Sequence, residues 1–293
     1  MHPIGRAARL LAGTCHPGPT LAVTGLSTAL AAGSGLPPWR AALVAATVLT
    51  GQLTIGWGND LVDADRDRHA GRSEKPLAAP GASALPVRVA LLVALAATAE
   101  LSRRCGPRSG RVHLGLCVTS GWAYNAGLKS TALSPLPYAL AFGALPAVAS
   151  LAHPTAPARA RSWVVAAGAL LGVGAHLLDA LPDLEMDRRE GVRGYPQRWG
   201  TRAVRAQAAL VLGLAHTVTL AGTGGGRPVT GGRHGRTLVV AAPGPLLALG
   251  VARGRGQVPF WCAAALAAAD VVLLLSGPRE RRLVTSGPTR MGR

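Results

Sequence analysis

The chain has 293 residues, of which 49% are apolar and 15% charged, with a net charge of +18 at neutral pH. A water-soluble protein of this size spreads its apolar residues in short periodic patches, whereas here they come in blocks of about twenty, enough to cross a bilayer core. Nucleic-acid binding gathers basic residues on one soluble face, but these arginines are scattered between apolar blocks, so lipid headgroups account for most of them and no nucleic-acid partner is expected.

Nine blocks are predicted as transmembrane helices, because a chain inside lipid must satisfy its own backbone polar groups. They cover residues 15–33, 39–57, 82–100, 111–127, 135–152, 162–182, 203–222, 237–252 and 257–276. The sequence Leu11-Ala12-Gly13-Thr14-Cys15 resembles a lipoprotein cleavage site, but the apolar run before it is too short for a signal peptide. The six tryptophans (Trp39, Trp57, Trp122, Trp163, Trp199 and Trp261) fall near predicted span ends, as in an aromatic belt. Gly168 and Gly172 have the spacing of a close helix crossing. Cys15, Cys105, Cys117 and Cys262 lie far apart and read as small core residues rather than a disulfide or zinc framework. Residues 58–81 and 183–202 are polar linkers. Residues 222–236 are rich in Gly and Arg, and 277–293 form a basic tail expected to be disordered. The whole chain, 1–293, reads as one polytopic domain. Basic residues divide almost evenly between the two sides, so charge does not orient it.

The acidic residues are concentrated. Ten of the chain's 13 lie in two windows, Asp60, Asp63, Asp65, Asp67 and Glu74, then Asp179, Asp183, Glu185, Asp187 and Glu190. On a helix Asn59, Asp63 and Asp67 form one stripe, and Asp179, Asp183 and Asp187 repeat the spacing. Neighbouring carboxylates in such a stripe are about 5–6 Å apart. Each ionised pair repels by about 3 kcal/mol at an effective dielectric near 20. Two such stripes at a membrane boundary call for a cation, and magnesium suits, since it takes one or two carboxylates and completes its shell with water and phosphate. A solvated acidic loop balanced by Arg66, Arg68, Arg188 and Arg189 is the plainer reading. A calcium loop through Asp63, Asp65, Asp67 and Glu74 is a third, but it has Arg68 where the sharp turn wants glycine. The windows follow the second and sixth spans, so both emerge on one membrane face, with Tyr124–Lys129 after the fourth span between them.

Among 31 basic residues only Lys75 and Lys129 are lysines, and Asn59 and Asn125 are the only asparagines. All four sit on the face of the acidic windows. Arg72, Lys75, Lys129 and Arg198 could meet diphosphate oxygens, lysine as a point charge and arginine as a fork.

Asn59-Asp60-Leu61-Val62-Asp63-Ala64-Asp65-Arg66-Asp67, followed by Arg72 and Lys75-Pro76-Leu77, resembles the first signature of the UbiA-type membrane prenyltransferases. Asp179-x-x-x-Asp183-x-x-x-Asp187 with Gly191-Val192-Arg193 resembles the second, and Tyr124 to Lys129 is similar to the tyrosine–lysine segment after the fourth helix. The resemblance implies an all-α integral membrane bundle of about nine helices with a central cavity. It also implies magnesium-dependent transfer of a prenyl group from an isoprenoid diphosphate to an aromatic or other electron-rich acceptor, releasing pyrophosphate. Asn59, Asp63 and Asp67 would serve one magnesium, and Asp183 and Asp187 the other, supported by Asp179. Arg72, Lys75, Lys129, Arg198 and Tyr124 would hold the diphosphate, with Asp63, Asp67, Asp183 and Lys129 carrying catalysis. Pro182 lies inside the second stripe and is expected to kink it. Where relatives often carry an Arg-Pro pair near the acceptor, this chain has His16-Pro17. His16, His69 and Asp60 are the candidate bases.

Two alternatives remain: cyclisation of the prenyl diphosphate without an acceptor, and a divalent-cation or anion transporter, since paired carboxylates also line ion paths. The usage of alanine and arginine suggests a GC-rich bacterial genome, hence a bacterial cell membrane. The resemblance puts the site on the cytoplasmic side.

Overall fold

The computed structural model describes residues 3–73, 75–224, 244–254, 256 and 258–276, and every regular element among them is a helix. Glu74, the 277–293 tail, most of the Gly- and Arg-rich segment and the start of the eighth predicted span lie outside the described residues.

Each predicted span meets a helix. The helices are α1 Pro3–Thr14, α2 Pro17–Gly33, α3 Pro38–His69, α4 Leu85–Arg104, α5 Pro107–Val112, α6 Thr119–Asn125, α7 Pro135–Leu151, α8 Ser162–Asp179, α9 Leu184–Arg189, α10 Thr201–Thr223, α11 Gly244–Arg253 and α12 Val258–Ser276. A π-helical turn, His113–Val118, joins α5 to α6, so the fourth span is one rod with a bulge. Among the described residues four helices are long and apolar enough to cross a bilayer outright: α3, α4, α8 and α10. Proline opens α2, α3, α5 and α7, where its missing N–H costs no hydrogen bond. All four cysteines are free.

Two differences from the sequence expectation bear on the site. The second span does not end at residue 57: α3 runs on to His69, because no breaker precedes Gly71, so the first acidic window is helix rather than linker. The sixth span stops at Asp179 instead of residue 182, since Pro182 cannot donate a helical hydrogen bond and disfavours helical backbone at Leu181. The second stripe is therefore not one stripe.

Two apolar cores hold the bundle. One gathers Val23, Leu30, Val44, Val48, Leu145 and Val148, from α2, α3 and α7. The other gathers Leu177, Leu184, Val204, Leu212 and Leu266 around α8 and α10. Between them α7 and α8 meet backbone to backbone. A Cβ added at Gly168 would stand 2.7 Å from the Phe142 carbonyl, and one at Gly172 would stand 2.3 Å from that of Tyr138. Only glycine permits that approach, as the spacing predicts. Outward, Leu92 and Leu210 are 67% and 73% exposed. On a soluble surface such residues would be a liability; on an apolar membrane helix they are the lipid contact.

The N-terminal α1 is amphipathic and was not foreseen. Its Leu10 and Leu11 pack beside Trp57 and Leu61 of α3, and Trp57 Nε1 donates to the Leu11 carbonyl at 3.0 Å. The chain is an integral membrane protein with an all-helical bundle.

Candidate active site

The last three turns of α3 carry the first cluster. Asp60, Asp63 and Asp67 are buried and Asn59 is half-buried, while Asp65 is exposed and paired with Arg68. The helix ends in a Schellman motif: Gly71, at φ 70°, donates to the Arg68 carbonyl at 3.1 Å, and Arg72 N donates to that of Asp67 at 3.0 Å. That cap folds Arg72 back over the carboxylates it follows. A continuous helix through Asp63, Asp65 and Asp67 is no calcium-binding loop, so that reading is overturned.

Lys129 reaches the same stripe from a 3-10 turn, Leu128–Ser130, that follows α6. Its Nζ donates to both oxygens of Asp63, at 2.5 and 2.6 Å. The turn is kept in register by Asn125, whose Nδ2 donates to the Ile55 carbonyl of α3 at 2.9 Å. Asn125 is thus a tie between helices.

The second cluster is built in pieces. Asp179 ends α8 and accepts a hydrogen bond from Tyr138 Oη at 2.9 Å. The Gly172 crossing brings α7 close enough for it. Asp183 sits in the turn before α9, and its carboxylate makes no hydrogen bond or ion pair with a described residue. Asp187 lies on α9 and accepts from Gln197 Nε2 at 3.0 Å. Burial, then the neighbouring Asp183 charge, pushes the Asp187 carboxyl above the usual carboxylate range. The cap of α3 recurs here: Gly191, at φ 81°, donates to the Arg188 carbonyl at 3.3 Å, and Val192 N to that of Asp187 at 2.9 Å. Asp67-Arg68-x-x-Gly71 and Asp187-Arg188-x-x-Gly191 are one motif used twice.

Arg72 joins the clusters. Only 5% exposed, its guanidinium lies 3.6 Å from Asp67, 3.6 Å from Asp187 and 3.5 Å from Glu190. Among the described residues its Nε and one terminal nitrogen have no hydrogen-bond partner, and neither has Asp67 Oδ1. The Arg66 guanidinium stands 3.4 Å from Asp63 and 3.8 Å from Asp67. The same-face expectation therefore meets direct contacts across the two windows.

Other expected residues fall around this centre. The Tyr124 ring packs edge-on to Tyr138 and His176, within electrostatic reach of Asp63, Asp179 and Asp187. Lys75 lies within electrostatic reach of Asp67 and Asp179. Arg198 is exposed in an open cleft of about 380 Å³ shared with Arg188, Val192, Arg193 and Gln197, beside the cluster rather than in it. His69 turns back to the Asp65 carbonyl on the exposed face, away from the other base candidates. His16 Nε2 lies 2.8 Å from Asp60 Oδ1. Tyr138, Gln197 and Glu190 were not foreseen in these roles. For Tyr138 the one signal was scarcity, since the chain has three tyrosines.

The donor set consists of hard oxygens, which suits magnesium or calcium rather than a thiolate- or imidazole-seeking metal. Among the described residues no three His, Cys, Asp or Glu side chains are gathered closely enough to hold an ion as they stand, because Lys129 and Arg72 supply the positive charge between them. The unsatisfied Asp67 Oδ1 and the unpaired Asp183 fit a further cation.

A family model described as the UbiA prenyltransferase family matches residues 20–232. No curated protein matches the chain by sequence. Among solved structures, a UbiA homologue from Aeropyrum pernix K1, without ligand, superposes with a TM-score of 0.66 at 19% identity, covering 86% of this chain and 97% of that one. A UbiA homologue from Archaeoglobus fulgidus, bound to GPP and Mg2+, gives 0.61 at 16% identity, covering 92% and 99%. The same homologue bound to DMAPP and Mg2+ gives 0.63 at 17%, covering 90% and 98%. At these identities the likeness is one of fold.

Proposed function

The chain belongs to the UbiA prenyltransferase family, and on that premise we propose that residues 1–293 form one domain transferring a prenyl group from an isoprenoid diphosphate to a small lipophilic or aromatic acceptor, with release of pyrophosphate. The observation that carries the reading is the Arg72 contact with Asp67, Asp187 and Glu190, which brings two acidic clusters 120 residues apart to one centre. The Archaeoglobus fulgidus homologue, whose structures hold GPP or DMAPP with Mg2+, supports the choice of donor and metal.

Asn59, Asp63 and Asp67 would hold one magnesium, and Asp183 and Asp187 a second, with Asp179 behind them. Bound there, magnesium supplies neutralising charge on the departing diphosphate. The rest falls to side chains. Lys129 would exchange Asp63 for a diphosphate oxygen, and Lys75 would add a point charge from the α3–α4 connection. Arg72 keeps the clusters from repelling one another before substrate arrives. Arg198 would guide the anion at the outer cleft. Tyr124 and Tyr138 wall the centre with aromatic faces, which favour a neighbouring allylic cation and exclude water. We place this centre on the cytoplasmic side of a bacterial membrane.

The test is pyrophosphate release from geranyl diphosphate by the purified protein in nanodiscs. Release that requires magnesium and disappears in Asp63→Ala and Asp183→Ala, with the helical content retained, is the expected result. Magnesium-independent release, or full activity in either variant, would refute the assignment.

A further inference from the structure

His16 is the one non-glycine residue with positive φ among the described residues, at φ 50° and ψ 67°. Left-handed backbone costs a residue with a β-carbon on the order of 1–2 kcal/mol, and it persists where the surroundings over-determine it. Here Pro17 follows at once and opens α2, while the imidazole is held across the fold by its 2.8 Å bond to Asp60. The Asp60 side chain is 4% exposed and that of His16 37%. One partner is sunk in the protein and the other looks out of it.

In the tautomer that donates Nε2–H to Asp60 Oδ1, the ring's lone pair sits on Nδ1. No described residue bonds that nitrogen. Asp60 lies three residues before Asp63 on α3, and His16 is within electrostatic reach of Asp179. His16 thus stands between a residue of the first acidic window, Asp60, and the first residue of the second, Asp179.

We propose that His16 is the catalytic base that removes a hydroxyl proton from the acceptor, that Asp60 is the residue positioning it, and that the acceptor is an uncharged alcohol or phenol. This rests on the prenyltransferase reading above. The charge argument selects the acceptor class. Asp60 already balances any positive charge His16 gains, and Asp60 and Asp179 beside it disfavour a carboxylate, whereas a neutral hydroxyl can donate to Nδ1. In the step, the acceptor O–H bond breaks and its proton goes to Nδ1. The electron pair left behind forms the new bond to the terminal allylic carbon of the prenyl group, from oxygen or, in a phenol, from the adjacent ring carbon, which then loses its own proton to water while the oxygen takes a proton back from water. The carbon–oxygen bond to the diphosphate breaks with both electrons on the diphosphate. His16 returns its proton to water.

The experiment uses the full-length protein in nanodiscs with magnesium and geranyl diphosphate. Hydroquinone and 4-hydroxybenzoate are the acceptor probes, differing in a hydroxyl against a carboxylate. Prenylated product and pyrophosphate are measured separately. Hydroquinone should be prenylated at least roughly tenfold faster. His16→Gly relieves the backbone strain while deleting the base, and it should lower the ratio of transfer to pyrophosphate release by about 10²-fold, with added imidazole restoring much of it. Asp60→Asn should lower the ratio by about tenfold. An unchanged ratio in His16→Gly, or a fall that imidazole does not rescue, overturns the base. Preference for 4-hydroxybenzoate over hydroquinone overturns the acceptor class. A wild-type protein that releases no pyrophosphate instead refutes the underlying prenyltransferase reading.

Discussion

The two acidic clusters end in the same cap but are carried by unlike supports. Asp60, Asp63 and Asp67 ride one unbroken helix, α3, whose preceding turns are buried among α2 and α7. Asp179, Asp183 and Asp187 are divided among the end of α8, a proline-containing turn and a helix of six residues. The first arrangement fixes its carboxylates through the backbone. The second fixes them one at a time through side-chain partners, Tyr138 for Asp179 and Gln197 for Asp187, and leaves Asp183 without one. On the proposed function, a site that admits and releases a diphosphate would gain from one rigid and one adjustable wall, with Arg72 spanning the gap.

The contrast is sharpest if the clusters are cut one residue at a time. Asp63→Asn should lower pyrophosphate release by roughly 10³-fold, whereas Asp179→Asn, whose carboxylate only supports the adjustable wall, should cost about tenfold. Equal losses in the same magnesium-dependent assay would erase the distinction. Next in size is the joint between the walls. Arg72→Ala removes the cation shared by three partly or fully buried carboxylates, leaving Arg66 as the only guanidinium beside two of them among the described residues, and should destabilise the protein by about 3–5 kcal/mol, read as a lowered unfolding temperature in detergent. An unchanged temperature would mean that the 3.5–3.6 Å contacts carry no energy. Gly172→Ala drives a methyl group into the Tyr138 backbone and should cost about 1–3 kcal/mol while displacing the tyrosine from Asp179. Stability unaltered within about 0.5 kcal/mol would contradict so tight a crossing. The smallest stability change is expected for Pro182→Ala, within about 1 kcal/mol, since the proline is exposed in a turn. Its informative readout is activity, which should fall several-fold as α8 is freed to continue toward Asp183. Unchanged kcat would show that the break has no role.

Much of this arrangement was legible in the residues. Twenty-residue apolar blocks located the helices, the Asp spacing located both windows, and counting crossings put them on one face. What was not legible depends on packing. Hydropathy ends at Trp57, but helical structure continues to His69, because charge ends a membrane span without breaking a helix. Arg72 reads in sequence as a ligand for phosphate, and its burial among three carboxylates emerges only when α9 lies against α3. Tyr138 reaches Asp179 across an interface that two glycines close. The twin caps at Gly71 and Gly191 were in plain view as Asp-Arg-x-x-Gly, yet their shared meaning is a matter of φ angles.

The length of α3 has one more consequence. Its 32 residues make a rod of about 48 Å, against about 30 Å of bilayer hydrocarbon. Measured from Pro38, the hydrocarbon is spent near Trp57, and the carboxylates begin one turn later. The helix is therefore a depth gauge, holding the acidic cluster at the headgroup level, where on the proposed function a prenyl tail would lie alongside in oil. In a thicker or thinner bilayer the rod must tilt or the lipid must deform. Membrane thickness then becomes a variable of the transfer reaction, adjustable without touching a single residue of the site.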